Sequence, residues 1–68
     1  MKIPKQEEIV LTYVFDGVDG YIVTRSPIRQ YTLYKIIGDN DYKKLKTSDS
    51  PIEFDKLVEK DRSKTDGN

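Results

Sequence analysis

The side chains of this 68-residue chain that could bind or react are concentrated in its middle. Residues 20–47 hold six basic side chains against two acids, Asp39 and Asp41, while the segments on either side carry a small excess of acid. Cations that neutralise phosphates and rings that stack on bases are the parts of a groove for single-stranded nucleic acid. The residues predicted for such a groove are Arg25, Arg29, Lys35, Lys44, Lys46 and Tyr42.

The same residue types also fit an ordinary β-hairpin. Tyrosine is common in strands, and lysine on an edge strand discourages pairing with other chains. The sequence contains no named nucleic-acid-binding motif, and its 12 basic and 12 acidic side chains cancel. Nucleic-acid binding is therefore the alternative prediction, behind a plain hairpin.

Catalysis is not favoured by this composition. The chain has no histidine and no cysteine, so it lacks the usual base near neutral pH and the common zinc ligands. A lysine or carboxylate acting as base for a serine needs a strongly shifted pKa, which requires deep burial. The loops at Asp16 and Asp39 lack the glutamate that ends a calcium-binding loop. We expect no enzyme activity, no cofactor, no metal and no small-molecule substrate.

Four strands and a helix are predicted to position these side chains. β-Branched and aromatic residues predict strands over 8–16, 21–25, 30–37 and 42–46. Asp-Gly pairs, a Ser-Pro pair and the sequence GDND predict the turns between them. The predicted fold class is α+β, a small antiparallel β-meander of three to four strands with one C-terminal α-helix packed on it.

The helix signals begin at Ser50. Ser50 and Glu53 have the spacing of a capping box, and Phe54 and Val58 share one face of the helix that follows. The end of the chain has no apolar residue, which is typical of disorder. We therefore expect a short N-terminal arm at 1–7, one domain at 8–61 and a disordered polar tail at 62–68.

The predicted sheet has more apolar surface than one helix can cover. The first strand has apolar side chains on both faces, and a helix about 10 Å wide spans about two strands spaced 4.8 Å apart. Either the sheet curls, or its open face meets another molecule. The first strand also has no charge over residues 9–15, so it is an unguarded edge. The residues predicted for self-association there are Val10, Thr12 and Val14.

Binding to protein is the function that these features predict. Tyrosine and arginine are enriched where interfaces are strongest. The residues predicted to contact a partner are Tyr13, Tyr21, Tyr31, Tyr34, Arg25 and Arg29. We expect a small non-enzymatic regulator or inhibitor that binds a larger protein or a second copy of itself. Single-stranded nucleic-acid binding is the alternative, and a structural homo-oligomer is a further one.

The first residues of the chain indicate its cellular location, and its amino-acid composition indicates the kind of organism that encodes it. The first residues, MKIPKQEE, become acidic where a signal peptide becomes apolar, so we expect a cytoplasmic protein with no membrane partner. The chain contains no alanine and is rich in Ile, Lys, Asp and Tyr. AT-rich coding produces this bias, which indicates a low-GC bacterium or its phage.

Overall fold

The computed structural model describes residues 3–66, so the first two residues of the predicted arm and the last two of the predicted tail lie outside it. The elements in chain order are β1 (Glu8–Phe15), β2 (Val18–Arg25), β3 (Tyr31–Gly38), β4 (Asp41–Ser48) and α1 (Phe54–Asp66). Each strand pairs antiparallel with the next, so the sheet order is β1-β2-β3-β4. The predicted α+β meander with one C-terminal helix is confirmed, with β1 and β4 as its edges.

Tight turns set the strand boundaries. Asp16 and Gly17 both have positive φ, 54° and 77°, which is the geometry of a two-residue hairpin turn. β2 therefore begins at Val18, earlier than predicted, because only the first of the two Asp-Gly pairs forms the turn. Asn40 has φ 57° in the turn before β4, and β4 is a full strand of eight residues.

The main core lies between the sheet and α1. Phe54 and Val58 of α1 are buried against Tyr21, Val23 and Leu33 of the two central strands. Burial of large apolar side chains of this kind contributes about 1.5–3 kcal/mol each. Partly buried side chains surround this cluster: Tyr13, Phe15, Tyr31, Leu45 and Leu57.

The opposite face of the sheet is closed at its centre by the chain itself. Ile22 and Tyr34 on this face are 4% and 1% exposed, and Thr24 is fully buried. The segment before β1 turns back, with the Glu7 N–H donating to the Pro4 carbonyl. The Glu7 carboxylate then accepts hydrogen bonds from the hydroxyls of Thr24 and Tyr34, at 2.5 and 3.1 Å. The prediction of an open second face is therefore wrong at the centre of the sheet.

The start of α1 also differs from the prediction. The helix begins at Phe54, after a turn in which the Phe54 N–H donates to the Pro51 carbonyl. The Glu53 carboxylate lies 3.3 Å from Lys46 Nζ on β4, so it pairs with the sheet and not with the backbone near Ser50. The predicted capping box is therefore wrong.

The end of α1 lies beyond the predicted boundary. The helix continues to residue 66, so the predicted disordered tail is wrong for the part that the structure describes. Charged side chains hold the last turns of α1 against the sheet. Asp61 of α1 lies 3.0 Å from Lys35 Nζ on β3, and Arg62 of α1 lies over the Phe15 ring on β1. Within residues 3–66, no helix has the length and apolar character to cross a membrane.

Candidate functional site

β1 forms an edge of the sheet that carries no charge over residues 9–15. Among residues 3–66 it pairs only with β2, so alternate residues of β1 turn their backbone N–H and C=O groups away from the sheet. Five apolar side chains on β1 and at the start of β2 are between 45% and 66% exposed. They are Ile9, Val10, Leu11, Val14 and Val18.

The two edges of the sheet differ in charge. β4 carries Lys43, Lys44 and Lys46, whereas residues 9–15 of β1 carry no charge. Lysine on an edge opposes pairing with a further strand, so only the β1 edge is left open to it. The strand order places Val10, Thr12 and Val14 on this edge, and their role in self-association stays a prediction.

The pairing of β1 with β2 is irregular at two points. The register shifts between Ile9 and Leu11 and again between Tyr13 and Val14. At the second shift a Cβ on Gly20 would lie 3.1 Å from Phe15 Cδ2, so glycine allows the Phe15 ring to pack over β2. An added strand would therefore meet a regular edge over residues 11–13 and a more twisted edge on either side.

A groove of about 300 Å³ lies beside this edge, between β1 and α1. Apolar surfaces of two β1 side chains and one helix side chain line it, together with polar groups of α1. The lining residues are Tyr13, Phe15, Asp55, Val58, Glu59, Arg62 and Ser63. The groove therefore combines apolar walls with two acids and one base, and we call it the β1–α1 groove.

Hydrogen bonding and charge fix the geometry of the β1–α1 groove. The Tyr13 hydroxyl donates to Asp55 Oδ1 at 2.5 Å. Burial, this hydrogen bond and the negative charge of Asp55 raise the pKa of Tyr13 to about 12, so the phenol remains a donor at neutral pH. Arg62 Cζ lies 3.7 Å from the centre of the Phe15 ring, a cation–π contact. Glu59 has no ion pair or side-chain hydrogen bond with any described residue.

A second cleft, of about 420 Å³, lies beside the turn between β2 and β3. It brings together three residues predicted to contact a partner, Arg25, Arg29 and Tyr31. Arg29 has φ 62°, a backbone conformation uncommon for residues other than glycine. Arg25 Nη2 lies 3.9 Å from Glu8 Oε2, and because both groups are exposed this ion pair adds little stability. The other lining residues are Gln6, Glu8, Ser26 and Pro27.

Two of the tyrosines predicted as partner contacts belong to the core. Tyr21 and Tyr34 are 4% and 1% exposed, because they lie in the two central strands and are covered on opposite faces. The Tyr34 hydroxyl donates to Glu7, and burial together with this carboxylate raises the pKa of Tyr34 to about 12. Neither ring offers a surface to a partner, so their prediction as partner contacts is corrected. Tyr13 and Tyr31 are half-buried in the walls of the two clefts.

The residues predicted for nucleic-acid binding do not share one surface. Lys35 faces α1, where it pairs with Asp61. Lys44 lies opposite Tyr34 on the other face, where the Tyr42 ring packs edge-on against Tyr34. The remaining three lie elsewhere: Arg25 and Arg29 in the second cleft, and Lys46 beside Glu53. A groove that follows a nucleic-acid strand needs its cations and rings on one face, so this arrangement does not favour that alternative.

The helix side of the β1–α1 groove was not predicted. Asp55, Glu59 and Arg62 are separated by four and three residues, a spacing that puts them on one helix face. That spacing is visible in the sequence, but it indicates a common face only if the helix continues past residue 61. Phe15 was expected as a strand residue without a role in binding.

Similarity to known proteins does not indicate what either cleft binds. Comparison with family models, curated proteins and solved structures finds no match to this chain. In the part of the chain that the structure describes, no group of three or more acidic side chains is placed to hold a metal ion. The chemistry of each cleft follows from the side chains that line it.

Proposed function

We propose that this chain is a non-enzymatic protein-binding module that takes an extended segment of another protein as a fifth strand beside β1. The observation that carries the proposal is the contrast between the edges of the sheet. β1 has half-exposed apolar side chains and no charge over residues 9–15, while β4 carries three lysines. An uncharged edge strand is a template for strand addition.

An extended protein segment fits both features of this edge. Its backbone supplies the N–H and C=O partners that an edge strand needs, and its side chains alternate between the two faces of the sheet. One set would lie over the β1–α1 groove, and the other beside Ile9 and Val14 on the opposite face. A segment held in this way is hidden from its other partners, which is how such a module regulates or inhibits a larger protein.

The absence of histidine and cysteine supports the non-enzymatic part of the proposal. These two residue types supply most activated nucleophiles and bases at neutral pH. The serines of the chain would need a lysine or carboxylate with a strongly shifted pKa as their base. Binding therefore accounts for the residues at this edge better than chemistry does.

A peptide-display selection tests the proposal. Random peptides selected on the wild-type protein are assayed against Val14→Lys, which adds a charge to the β1 edge. The matched control is Ile37→Lys, because Ile37 and Val14 are both 53% exposed but Ile37 lies at the end of β3. We expect binding to fall at least about tenfold for Val14→Lys, which corresponds to 1.4 kcal/mol, and to stay unchanged for Ile37→Lys.

The folded state of both variants is checked by urea unfolding. Surface substitutions of this kind change the free energy of unfolding by about 0.5 kcal/mol or less. Selected peptides that bind Val14→Lys as tightly as the wild type would contradict the proposal. A selection that yields no peptide sensitive to Val14→Lys would contradict it as well.

A further inference from the structure

We infer that the segment bound at β1 places a lysine or arginine side chain in the β1–α1 groove, and that it belongs to a protein other than a second copy of this chain. This inference rests on the proposed function and names the chemistry of the partner. It follows from two observations, the composition of the groove and the acids at both ends of β1.

The walls of the groove suit a long apolar stem. Tyr13, Phe15 and Val58 line it with rings and a branched aliphatic side chain. Lysine and arginine carry an apolar stem that ends in a cation, so the stem can pack on these walls while the charge remains at the rim. A side chain of this shape would extend from an added strand toward α1.

The polar groups of the groove leave acceptors for a cation. Glu59 has no partner among the described residues, and Asp55 uses one carboxylate oxygen to accept the Tyr13 hydroxyl proton. A carboxylate has about four lone-pair sites, so both acids retain capacity for a further donor. A wholly apolar side chain would cover these carboxylates without giving them a hydrogen bond, which costs free energy. The groove therefore favours a basic side chain over an apolar one of similar length.

A second copy of β1 does not supply this side chain. Residues 9–15 contain no base, and the strand is bounded by Glu8 and Asp16. In the register that overlaps two β1 strands fully, antiparallel pairing brings Glu8 of one copy close to Asp16 of the other, and like charges opposite each other are destabilising. Arg25 lies one strand further in and pairs with Glu8 of its own chain, and Arg62 lies over the Phe15 ring of its own chain. A foreign segment with a basic residue is the better complement.

Matched peptides test the inference. Peptides whose binding depends on Val14 are synthesised with each lysine or arginine replaced in turn by methionine, which keeps a long unbranched stem without the charge. Dissociation constants are measured by fluorescence anisotropy on the wild type, on Glu59→Gln and on Glu53→Gln. Glu53 is the control because it lies just before α1, outside the groove, and pairs with Lys46.

We expect binding to weaken when the basic residue at one position of the peptide is replaced. On the wild type, one basic residue replaced by methionine weakens binding about tenfold, and this difference shrinks to less than about twofold on Glu59→Gln. Glu53→Gln behaves like the wild type. Added salt weakens the basic peptide more than its methionine form, because the groove is partly open to solvent.

Two results would overturn the inference. The first would leave the proposed strand addition standing, and the second would change the bound strand to one from a second copy of this chain. Val14-dependent peptides that bind equally well with methionine would show that the edge binds strands without the basic side chain. Sedimentation of the protein alone at high micromolar concentration should show a monomer. A dimer that Val14→Lys dissociates and Ile37→Lys does not would assign the edge to a second copy.

Discussion

Arg62 Cζ lies 3.7 Å from the centre of the Phe15 ring, joining the last turns of α1 to the end of the edge strand. Both residues line the β1–α1 groove. A cation over an aromatic ring at an exposed site contributes about 0.5–1 kcal/mol. The part of α1 that follows Val58 has no apolar residue, yet it contacts the sheet through Arg62, which places a cation on a ring that β1 supplies.

Replacing Arg62 should affect both stability and binding. We expect Arg62→Gln to lower the free energy of unfolding by about 0.5–1 kcal/mol, measured by urea denaturation, because the cation–π contact is lost. The same change should strengthen binding of a basic β1-dependent peptide several-fold, since the groove loses its base. Lys60→Gln, on the same helix but outside the groove, is the control for general charge. Weaker binding of the basic peptide to Arg62→Gln would contradict the assigned role of the groove.

We expect a side chain at position 20, in place of Gly20, to lower the stability of the fold. A Cβ at this position would lie 3.1 Å from Phe15 Cδ2, so the ring would have to move. We expect Gly20→Ala to destabilise the fold by about 1–2 kcal/mol. Gly38→Ala is the matched control, because its nearest neighbour would be 3.9 Å away. Equal unfolding midpoints in urea for the two variants would show that the Phe15 ring is not held in this place.

Tyr13 and Tyr34 should titrate at a higher pH than a free tyrosine. The pKa of Tyr13 and of Tyr34 is raised to about 12 by burial and by hydrogen bonds to Asp55 and Glu7. A pKa raised in the folded state gives stability that is complete below pH 10 and is lost as the pH rises through about 12. Absorbance at alkaline pH, followed together with circular dichroism, should show Tyr34→Phe lacking one late step. Titration of every tyrosine near pH 10 in folded protein would be inconsistent with these contacts.

Asp61 should protect the fold against acid. Hydrogen bonds from Tyr21 and Lys35 hold the pKa of this carboxyl below its usual value. Its contribution to stability is therefore present above the ordinary aspartate pKa of about 3.9 and is lost as the pH falls through the lower folded value. We expect Asp61→Asn to cost about 1 kcal/mol at pH 7 and progressively less toward pH 2. A cost in urea unfolding that stays constant across this range would contradict the pairing.

The local features of the fold were predictable from the sequence. β-Branched residues mark the strands, and the first Asp-Gly pair supplies the positive φ values that a two-residue turn needs. The closure of the second face was not predictable, because Glu7 bonds to Thr24 and Tyr34, 17 and 27 positions along the chain. The helix end was missed for the same reason, since Arg62 is held by Phe15 of the first strand.

Part of the candidate site was also predictable from the sequence, and part was not. The edge at Val10, Thr12 and Val14 follows from a run without charge, which one strand shows by itself. The alternation of Tyr21 and Tyr34 within their strands could not tell which face the helix or the arm would cover, so these two rings were expected in the wrong place. The β1–α1 groove exists only when both elements are packed together, and no single segment encodes it.

The most direct test of strand addition at β1 is residue-resolved hydrogen exchange by NMR, with and without a Val14-dependent peptide. In an antiparallel or parallel ladder, the outward amides of an edge strand gain hydrogen-bond partners when a further strand is added. We predict that alternate amides of β1 become protected in the complex, and that Val14→Lys shows no such change at the same peptide concentration. Peptide binding that leaves every β1 amide unprotected, while amides elsewhere slow down, would contradict strand addition at this edge.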